Sequence, residues 1–224
     1  MPQAGSFSRP NERYTDRAHA GQVLASKITA LQLADPVVLG LARGGVPVAA
    51  QVARALRAPL QVCVARKIGA PGQPELALGA VTADGPPTYD DALVRSFGVR
   101  PHDLQQACER ERAEARRREQ LYQPSQVVSV AGRDAVLVDD GLATGATARA
   151  ALRMLRQSDP RTVVLAVPVG APDAVRALRE EADQVVCVLQ PVHFAAVGQW
   201  YRDFGPTSDE EIHRILQEFT APQG

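Results

Sequence analysis

The residues with the clearest chemical potential lie in one short segment, VLVDDGLATGAT at 136–147. Two adjacent carboxylates, Asp139 and Asp140, follow an aliphatic run, and small and hydroxylated residues then lead into a helical pattern. The free N–H groups of a helix N-terminus bind anions, and carboxylates nearby accept hydrogen bonds from sugar hydroxyls. The segment therefore predicts a site for a ribose 5-phosphate, with a phosphate loop made of Gly141, Leu142, Ala143, Thr144, Gly145, Ala146 and Thr147. A simpler interpretation, in which the carboxylates only cap a loop, does not account for the ordered combination.

A second glycine-containing segment follows the first aliphatic run and consists of Ala42, Arg43, Gly44 and Gly45. Two glycines permit a tight turn that exposes backbone N–H groups to an anion, and Arg43 supplies charge-assisted donors suited to phosphate oxygens. Alone, the segment also fits an ordinary turn between a strand and a helix. Beside the ribose phosphate segment, it predicts a second phosphate site.

A third candidate is the basic pair Arg66 and Lys67, which opens a segment rich in Gly and Pro at 66–74. The chain holds 25 basic residues, and only Lys27 and Lys67 among them are lysines. Loops of this kind often bear function, although a solvated loop edge is the simpler interpretation. We expect a loop here whose two cations contact a ligand.

These segments must be positioned by strands and helices. Aliphatic runs predict β-strands at 37–41, 60–65, 76–81, 135–138, 162–167 and 184–189. Helical spacing predicts helices at about 16–35, 47–57, 101–122, 147–156, 172–181 and 208–219, whereas 84–100 allows no assignment. Buried strands alternating with amphipathic helices indicate an α/β fold, with a doubly wound, mainly parallel sheet flanked by helices. Ligands of such sheets bind at the carboxyl ends of central strands, where the acidic pair falls.

Composition limits the class of protein. With 224 residues, the chain predicts a single domain over 1–224, with a core at about 15–190 and a C-terminal appendage at about 191–224. Its 25 basic and 25 acidic residues cancel, so we expect no nucleic acid or membrane partner. No apolar run is long enough for a membrane span and no signal peptide is evident, which predicts a cytoplasmic protein. Its cysteines, Cys63, Cys108 and Cys187, suit reduced thiols that pack in the core.

The segment VLVDDGLATGAT resembles the PRPP-binding motif of the type I phosphoribosyltransferases, PRPP being phosphoribosyl pyrophosphate. The resemblance implies that the acidic pair holds the ribose hydroxyls and that the following loop holds the 5-phosphate. The LARGG segment is similar to the family's pyrophosphate loop, and RKIGAPGQPELALG to the start of its flexible loop. More narrowly, these strings together with VPVGAP and WYRDFG resemble a poorly characterised bacterial phosphoribosyltransferase group.

The family resemblance implies a reaction in which a nitrogen nucleophile displaces pyrophosphate from PRPP. Its catalytic residues would be Asp139, Asp140, Arg66 and Lys67. Mg²⁺ would arrive with PRPP, because no cluster of metal-ligating residues stands in the sequence. The partners implied are PRPP and a small-molecule acceptor, a nucleobase or another nitrogen compound, and the oligomer implied is a homodimer with a small hood built from terminal segments.

This sequence departs from the family pattern at two positions. Gly141 stands where the family commonly has a larger aliphatic residue, and Ala143 stands where enzymes for 6-oxopurines carry an acid. Glu75, in the flexible loop, is a candidate for handling the base, although an exposed loop carboxylate is the simpler interpretation. Trp200 could stack on a base, but we favour packing for the late aromatic cluster, made of Phe194, Trp200, Tyr201 and Phe204.

Two other interpretations stay open. The chain could be a non-catalytic PRPP or nucleotide sensor, which the lack of a convincing proton-handling residue favours. It could also be a phosphoribosyl hydrolase or a relative of PRPP synthases, against which the absence of a G-x-x-x-x-G-K-[ST] loop stands.

Overall fold

A five-stranded parallel sheet forms the centre of the structure, a computed structural model that describes residues 13–70, 72–122 and 127–220. Its strands are β1 (Pro36–Leu41), β2 (Leu60–Cys63), β6 (Asp134–Val138), β7 (Thr162–Val169) and β8 (Gln184–Leu189). They lie side by side in the order β2-β1-β6-β7-β8, and every pair is parallel. The chain leaves β1 toward one edge and returns at β6 on the other side. The strand order therefore reverses between β1 and β6, where such sheets open a ligand crevice.

Helices cover both faces of this sheet. One face packs against α1 (Arg17–Thr29), α2 (Gly45–Leu56) and α7 (Asp209–Thr220), and the other against α5 (Ala146–Arg156) and α6 (Pro172–Leu178). Neighbouring residues of β1 alternate accordingly, because Val38 contacts the first set of helices and Leu39 the second. The predicted doubly wound α/β fold is confirmed. Among the described helices, none combines the length and the apolar character needed to cross a bilayer.

A second, antiparallel sheet corrects one prediction. Residues 66–74 were expected to form a loop, yet residues 66–70 belong to β3 (Ala65–Ala70) and residues 73–74 to β4 (Gln73–Thr82), with β5 (Thr88–Tyr89) beside β4. Strand β3 pairs with β4, and their buried residues Ile68 and Val81 pack on the long helix α4 (Pro101–Tyr122). Glycine and proline content favoured a loop, but cross-strand pairing and burial against α4 outweigh that local preference. The basic pair thus lies on a strand.

Several boundaries also differ from the predictions. The first helix ends at Thr29 rather than near residue 35, since Gln32 and Asp35 adopt positive φ angles of 53° and 48°. Helix α6 is likewise shorter than predicted, and the unassigned segment 84–100 contains β5 and α3 (Asp91–Ser96). Helix α1 begins as expected, because the carboxylate of Asp16 accepts a hydrogen bond from the N–H of His19 at 2.8 Å.

Terminal segments meet beside the sheet and form the predicted hood. Residues 197–205, which we call the C-terminal strap, start with a short 3-10 helix, Val197–Trp200. The N–H of Tyr14 donates to the carbonyl of Trp200 at 2.8 Å, and the Tyr14 ring lies 5.5 Å from that of Tyr201. The hydroxyl of Tyr14 donates to the Pro168 carbonyl at 2.9 Å, which joins the hood to the carboxyl end of β7.

Candidate functional site

The acidic pair lies at the carboxyl end of β6, which neighbours β1 at the point where the strand order of the sheet reverses. Asp139 and Asp140 follow Val138 directly, and the N–H of Asp140 donates to Oδ1 of Asp139 at 2.8 Å. On its other side, Oδ2 of Asp140 is 2.9 Å from Nε of Arg17, the first residue of α1. The main-chain carbonyl of Asp140 accepts a hydrogen bond from the hydroxyl of Tyr201 at 2.6 Å. The hood therefore contacts the pair through Tyr201, and α1 contacts it through Arg17.

Burial governs the electrostatics of the two carboxyls. It raises the pKa of Asp139 well above its ordinary value, and the neighbouring charge of Asp140 raises it further. Burial also raises the pKa of Asp140, while the Arg17 guanidinium opposes that shift. Two adjacent carboxyls in such a setting bind a proton between them more readily than exposed ones do. Their charge state depends on the nearby cation.

The Ala42–Gly45 segment touches the acidic pair directly. A Cβ added at Gly44 would lie 2.7 Å from Cγ of Asp140 and would overlap its Oδ2, and one at Gly45 would lie 2.6 Å from the carbonyl of Val138. Gly44 has φ −63°, so close approach, not a positive φ, is the reason for glycine here. The Ala42–Arg43 peptide bond is cis, and the exposed guanidinium of Arg43 lies 3.8 Å from a carboxylate oxygen of Asp209.

The predicted phosphate loop connects β6 to α5. The N–H of Leu142 donates to the Val169 carbonyl at 2.9 Å, which holds the loop against β7. Gly145 precedes the first residue of α5 and has φ +75°, a conformation that favours glycine. Ala143 and Thr144 are exposed, so the outer part of the loop is open to a ligand at a helix N-terminus.

Gly141 has a structural explanation. A Cβ at this position would lie 2.6 Å from Cγ1 of Val197 in the C-terminal strap. The side chain of Val197 therefore occupies the space that a larger residue at 141 would need. The departure from the family pattern at this position fits the packing of the strap.

Arg66 and Lys67 border a separate cavity with the end of the phosphate loop. This cavity of about 750 Å³ is lined in part by Arg66, Lys67, Thr147, Arg110 and Glu111. Arg66 is half-buried and pairs with Glu111 at 2.9 Å, whereas Lys67 is exposed. The structure thus brings the basic pair to Thr147. It also adds Arg110 of α4, a residue that the sequence analysis did not single out.

The two residues proposed for handling a base, Glu75 and Trp200, lie in different elements. Glu75 belongs to β4, but its side chain falls outside the described part of the chain. Trp200 packs with Tyr14, Tyr201 and other hood residues, and its Nε1 is buried without a hydrogen-bond partner among the described residues. Its contacts agree with a packing role, and a contact with a base stays a prediction.

Arg17 is another residue of the candidate site that the sequence analysis did not identify. A signal existed, because a cation at the first residue of a helix opposes the helix dipole and needs another reason to stand there. No motif, however, links Arg17 to Asp140 across 123 positions of sequence. As for metals, the described residues include no group of three or more His, Cys, Asp or Glu arranged to hold an ion.

Comparisons with known proteins agree with this geometry. A family model described as the phosphoribosyl transferase domain matches residues 11–201. A Mycobacterium tuberculosis (strain H37Rv) protein, provisionally named a phosphoribosyl transferase, is 45% identical over 204 residues, which make up 91% of this chain and 46% of that protein. The chain thus spans about half the length of the curated relatives it matches.

Solved structures show the same fold. The crystal structure of TT1426 from Thermus thermophilus is 46% identical and has a TM-score of 0.79, over 93% of this chain and 100% of that one. The AQ2163 protein of Aquifex aeolicus is 14% identical with a TM-score of 0.50, over 81% of this chain and 78% of that one. At such low identity, the second likeness concerns the fold alone.

Proposed function

We propose that this chain, which belongs to the phosphoribosyltransferase family, transfers the 5-phosphoribosyl group of PRPP to a nitrogen acceptor and releases pyrophosphate. The observation that carries the proposal is the contact between the acidic pair and the Ala42–Gly45 segment. Gly44 lies against the Asp140 carboxylate, at the carboxyl ends of β1 and β6, between which the strand order reverses. PRPP is a ribose with a phosphate on C5 and a pyrophosphate on C1. Its binding site therefore needs hydrogen-bond acceptors for the ribose hydroxyls between two anion sites.

Each part of the site has a role in this reaction. Asp139 and Asp140 accept hydrogen bonds from the ribose hydroxyls, and their charge lies beneath the sugar cation that develops as the C1–O bond breaks. The 141–147 loop holds the 5-phosphate with N–H groups at the start of α5. Arg43, with the N–H groups of Gly44 and Gly45, binds the departing pyrophosphate.

The basic pair acts on the leaving group. Lys67 and Arg66 stabilise the charge that pyrophosphate gains, and the β3–β4 hairpin shields the reactive sugar from water. Mg²⁺ enters on the phosphates of PRPP as part of the substrate and withdraws charge from pyrophosphate as it leaves. We extend the proposal to a nucleobase as acceptor, with Glu75 or Trp200 in contact with it.

The domain organisation, the oligomeric state, the partners and the compartment of the enzyme belong to the same proposal. We propose a single domain over 1–224 that acts as a homodimer, without nucleic acid or membrane partners, as its balanced charge of 25 against 25 suggests. Cys63, Cys108 and Cys187 are free thiols, which suits the reducing cytoplasm.

The test is a calorimetric titration with PRPP and Mg²⁺, followed by a screen for pyrophosphate release across nucleobases. Replacing both carboxylates, Asp139→Asn with Asp140→Asn, should weaken PRPP binding by at least about 100-fold, because hydrogen bonds to charged groups contribute about 1.5–3 kcal/mol each. A matched control changes the chain's other pair of adjacent aspartates, Asp90→Asn with Asp91→Asn, at the start of α3. Unchanged PRPP affinity in the Asp139 and Asp140 variant would contradict the site.

The same experiment separates a transferase from a non-catalytic sensor. Pyrophosphate release with one base establishes the transferase and identifies its acceptor. Binding of PRPP without release on any base tested would favour a sensor. An absence of binding would refute both.

A further inference from the structure

We propose that Arg17 is a positioning residue for the acidic pair, which holds the Asp140 carboxylate in place and in its charged form so that it can bind the sugar. This inference rests on the proposed function, in which Asp140 binds ribose hydroxyls. No recognised sequence motif of the site includes Arg17. Its assignment comes from contacts that α1 and the C-terminal strap make around one carboxylate.

Three contacts fix the Arg17 guanidinium. Its Nε donates to Oδ2 of Asp140 at 2.9 Å, and its Nη1 donates to the carbonyl of Gly205 at 2.6 Å. Its central carbon lies 4.0 Å from the centre of the Phe204 ring. The side chains of Arg17 and Asp140 are only 14% and 15% exposed, so solvent screens this pair less than a surface pair. A planar guanidinium can make all three contacts at once, which a lysine ammonium cannot.

The position of Arg17 in its helix argues against a purely local role. It is the first residue of α1, and the first turn of that helix contains no acid. A cation there opposes the helix dipole, at a cost of about 0.3–1 kcal/mol. The N-terminus of α1 is stabilised instead by Asp16, which caps it. The contacts that offset the cost are those with Asp140 and the strap.

The groups that face the acidic pair come from several elements. Tyr201 of the strap and Cys63 of β2 are neutral groups near it, and Gly44 contributes only backbone. The two carboxyls interact with each other, and Arg17 of α1 supplies the cation that contacts Asp140. Without Arg17, two adjacent buried carboxyls would keep a proton to higher pH. A protonated pair accepts fewer hydrogen bonds from sugar hydroxyls.

Substitution of Arg17 by methionine tests this role, because methionine keeps an apolar stem on Phe204 and removes the charge. The affinity for Mg²⁺-PRPP is measured from about pH 5.5 to about pH 8.5. We expect the variant to lose about tenfold more affinity, relative to the natural chain, at the acid end than at the basic end, which is the equivalent of one pKa unit. PRPP titrates in this range too, so the two proteins are compared at each pH. Arg17→Lys should restore part of the acid-end affinity.

A second readout needs no ligand. A carboxyl whose pKa is raised on folding contributes stability at low pH, and that contribution is lost as the pH rises through the folded-state pKa. Because Arg17 lowers this pKa, Arg17→Met should destabilise the folded state more at high pH than at low pH. We expect the ratio of folded to unfolded protein to fall by about tenfold more at high pH. This pH dependence of stability is expected even if PRPP is not the substrate. Failure of the inference about Arg17 can therefore be distinguished from failure of the proposed function.

Arg54 provides the control, because it too pairs with a carboxylate and lies over a phenylalanine, Glu218 and Phe219, but at the surface between α2 and α7. Arg54→Met should leave the pH profile of PRPP affinity unchanged. If Arg17→Met does not fold, Phe204→Leu removes the support of the guanidinium and should give a smaller shift of the same sign. A loss of affinity or stability that is equal at every pH would overturn the proposal.

Discussion

At the scale of single residues, Asp140 is where the elements around the site meet. Its carboxylate contacts Arg17 and the backbone of Gly44, and its main-chain carbonyl accepts from Tyr201. Three elements distant in sequence therefore meet at one residue. A change at any of these neighbours should be detectable as altered PRPP binding.

Gly44→Ala tests the close contact between the two segments. The added Cβ overlaps the Asp140 carboxylate, so either the carboxylate or the Ala42–Gly45 segment must move. We expect destabilisation of about 1–3 kcal/mol, typical of overpacking, together with a loss of PRPP affinity. Urea unfolding and calorimetry measure the two effects.

The matched control is Gly205→Ala in the C-terminal strap, where the Cβ would meet its nearest neighbour at an ordinary 3.6 Å. That variant should fold and bind as the natural chain does. A Gly44→Ala protein with unchanged PRPP affinity would show that the two segments do not act as one site.

Sequence reasoning identified the segments of this site but not all of its contacts. The acidic pair, the phosphate loop and the Ala42–Gly45 segment each follow a strand, so a parallel sheet brings them to one edge once its order is known. Arg17 could not be found in this way. Its contact depends on how α1 and the strap pack, which no local pattern encodes.

At the scale of elements, the β3–β4 hairpin and α4 determine where the basic pair lies. Arg66 is engaged with Glu111, while Lys67 is exposed beside the cavity that reaches Thr147. Lys67 is therefore the more available cation for a leaving group. Arg110, on the same wall, adds a second positive charge to this cavity.

Lys67→Ala should lower turnover by about 100-fold, the usual effect of removing one transition-state donor, and should lower PRPP affinity by a smaller factor. Steady-state kinetics and calorimetry on the same sample give both values. Lys27→Ala, at the exposed end of α1, changes the chain's other lysine and should alter neither. An equal loss of turnover and affinity would refute a role in the transition state.

The strands of the large sheet were predictable from aliphatic runs, because burial on both faces leaves a signal that depends little on context. Strand β4 was predicted in part, at 76–81, whereas β3 was expected to lie in a loop, since the 66–74 segment contains glycine and proline and its strands gain their stability from α4. Strand β5 and helix α3 are short, and neither has the periodicity that single-sequence reasoning requires.

At the scale of the whole molecule, Asp134 joins the amino ends of the sheet. Its carboxylate accepts from Nε of Arg161 at 2.9 Å and from the N–H of Ala34 at 2.8 Å, and Arg161 donates in turn to the Ala34 carbonyl. Asp134 is only 4% exposed. Burial alone would raise the pKa of Asp134, but these hydrogen bonds lower it below its ordinary value.

A lowered pKa makes this network sensitive to acid. Its contribution to stability is present above the unfolded-state pKa and is lost as the pH falls through the folded-state pKa. Asp134→Asn should therefore cost about 2–3 kcal/mol at neutral pH and progressively less below about pH 4, as measured by urea unfolding. Asp173→Asn, which breaks an exposed pair with Arg176, should cost little. A cost that does not change with pH would contradict this account.

The contact between Gly141 and Val197 has an evolutionary consequence. Side chains at the two positions would occupy the same volume. A lineage with a larger side chain at one position must therefore have a smaller or displaced side chain at the other. In an alignment of related chains, the two columns should covary inversely in side-chain size. Such covariation would mark the chains whose C-terminal strap lies over the phosphate loop as a subgroup.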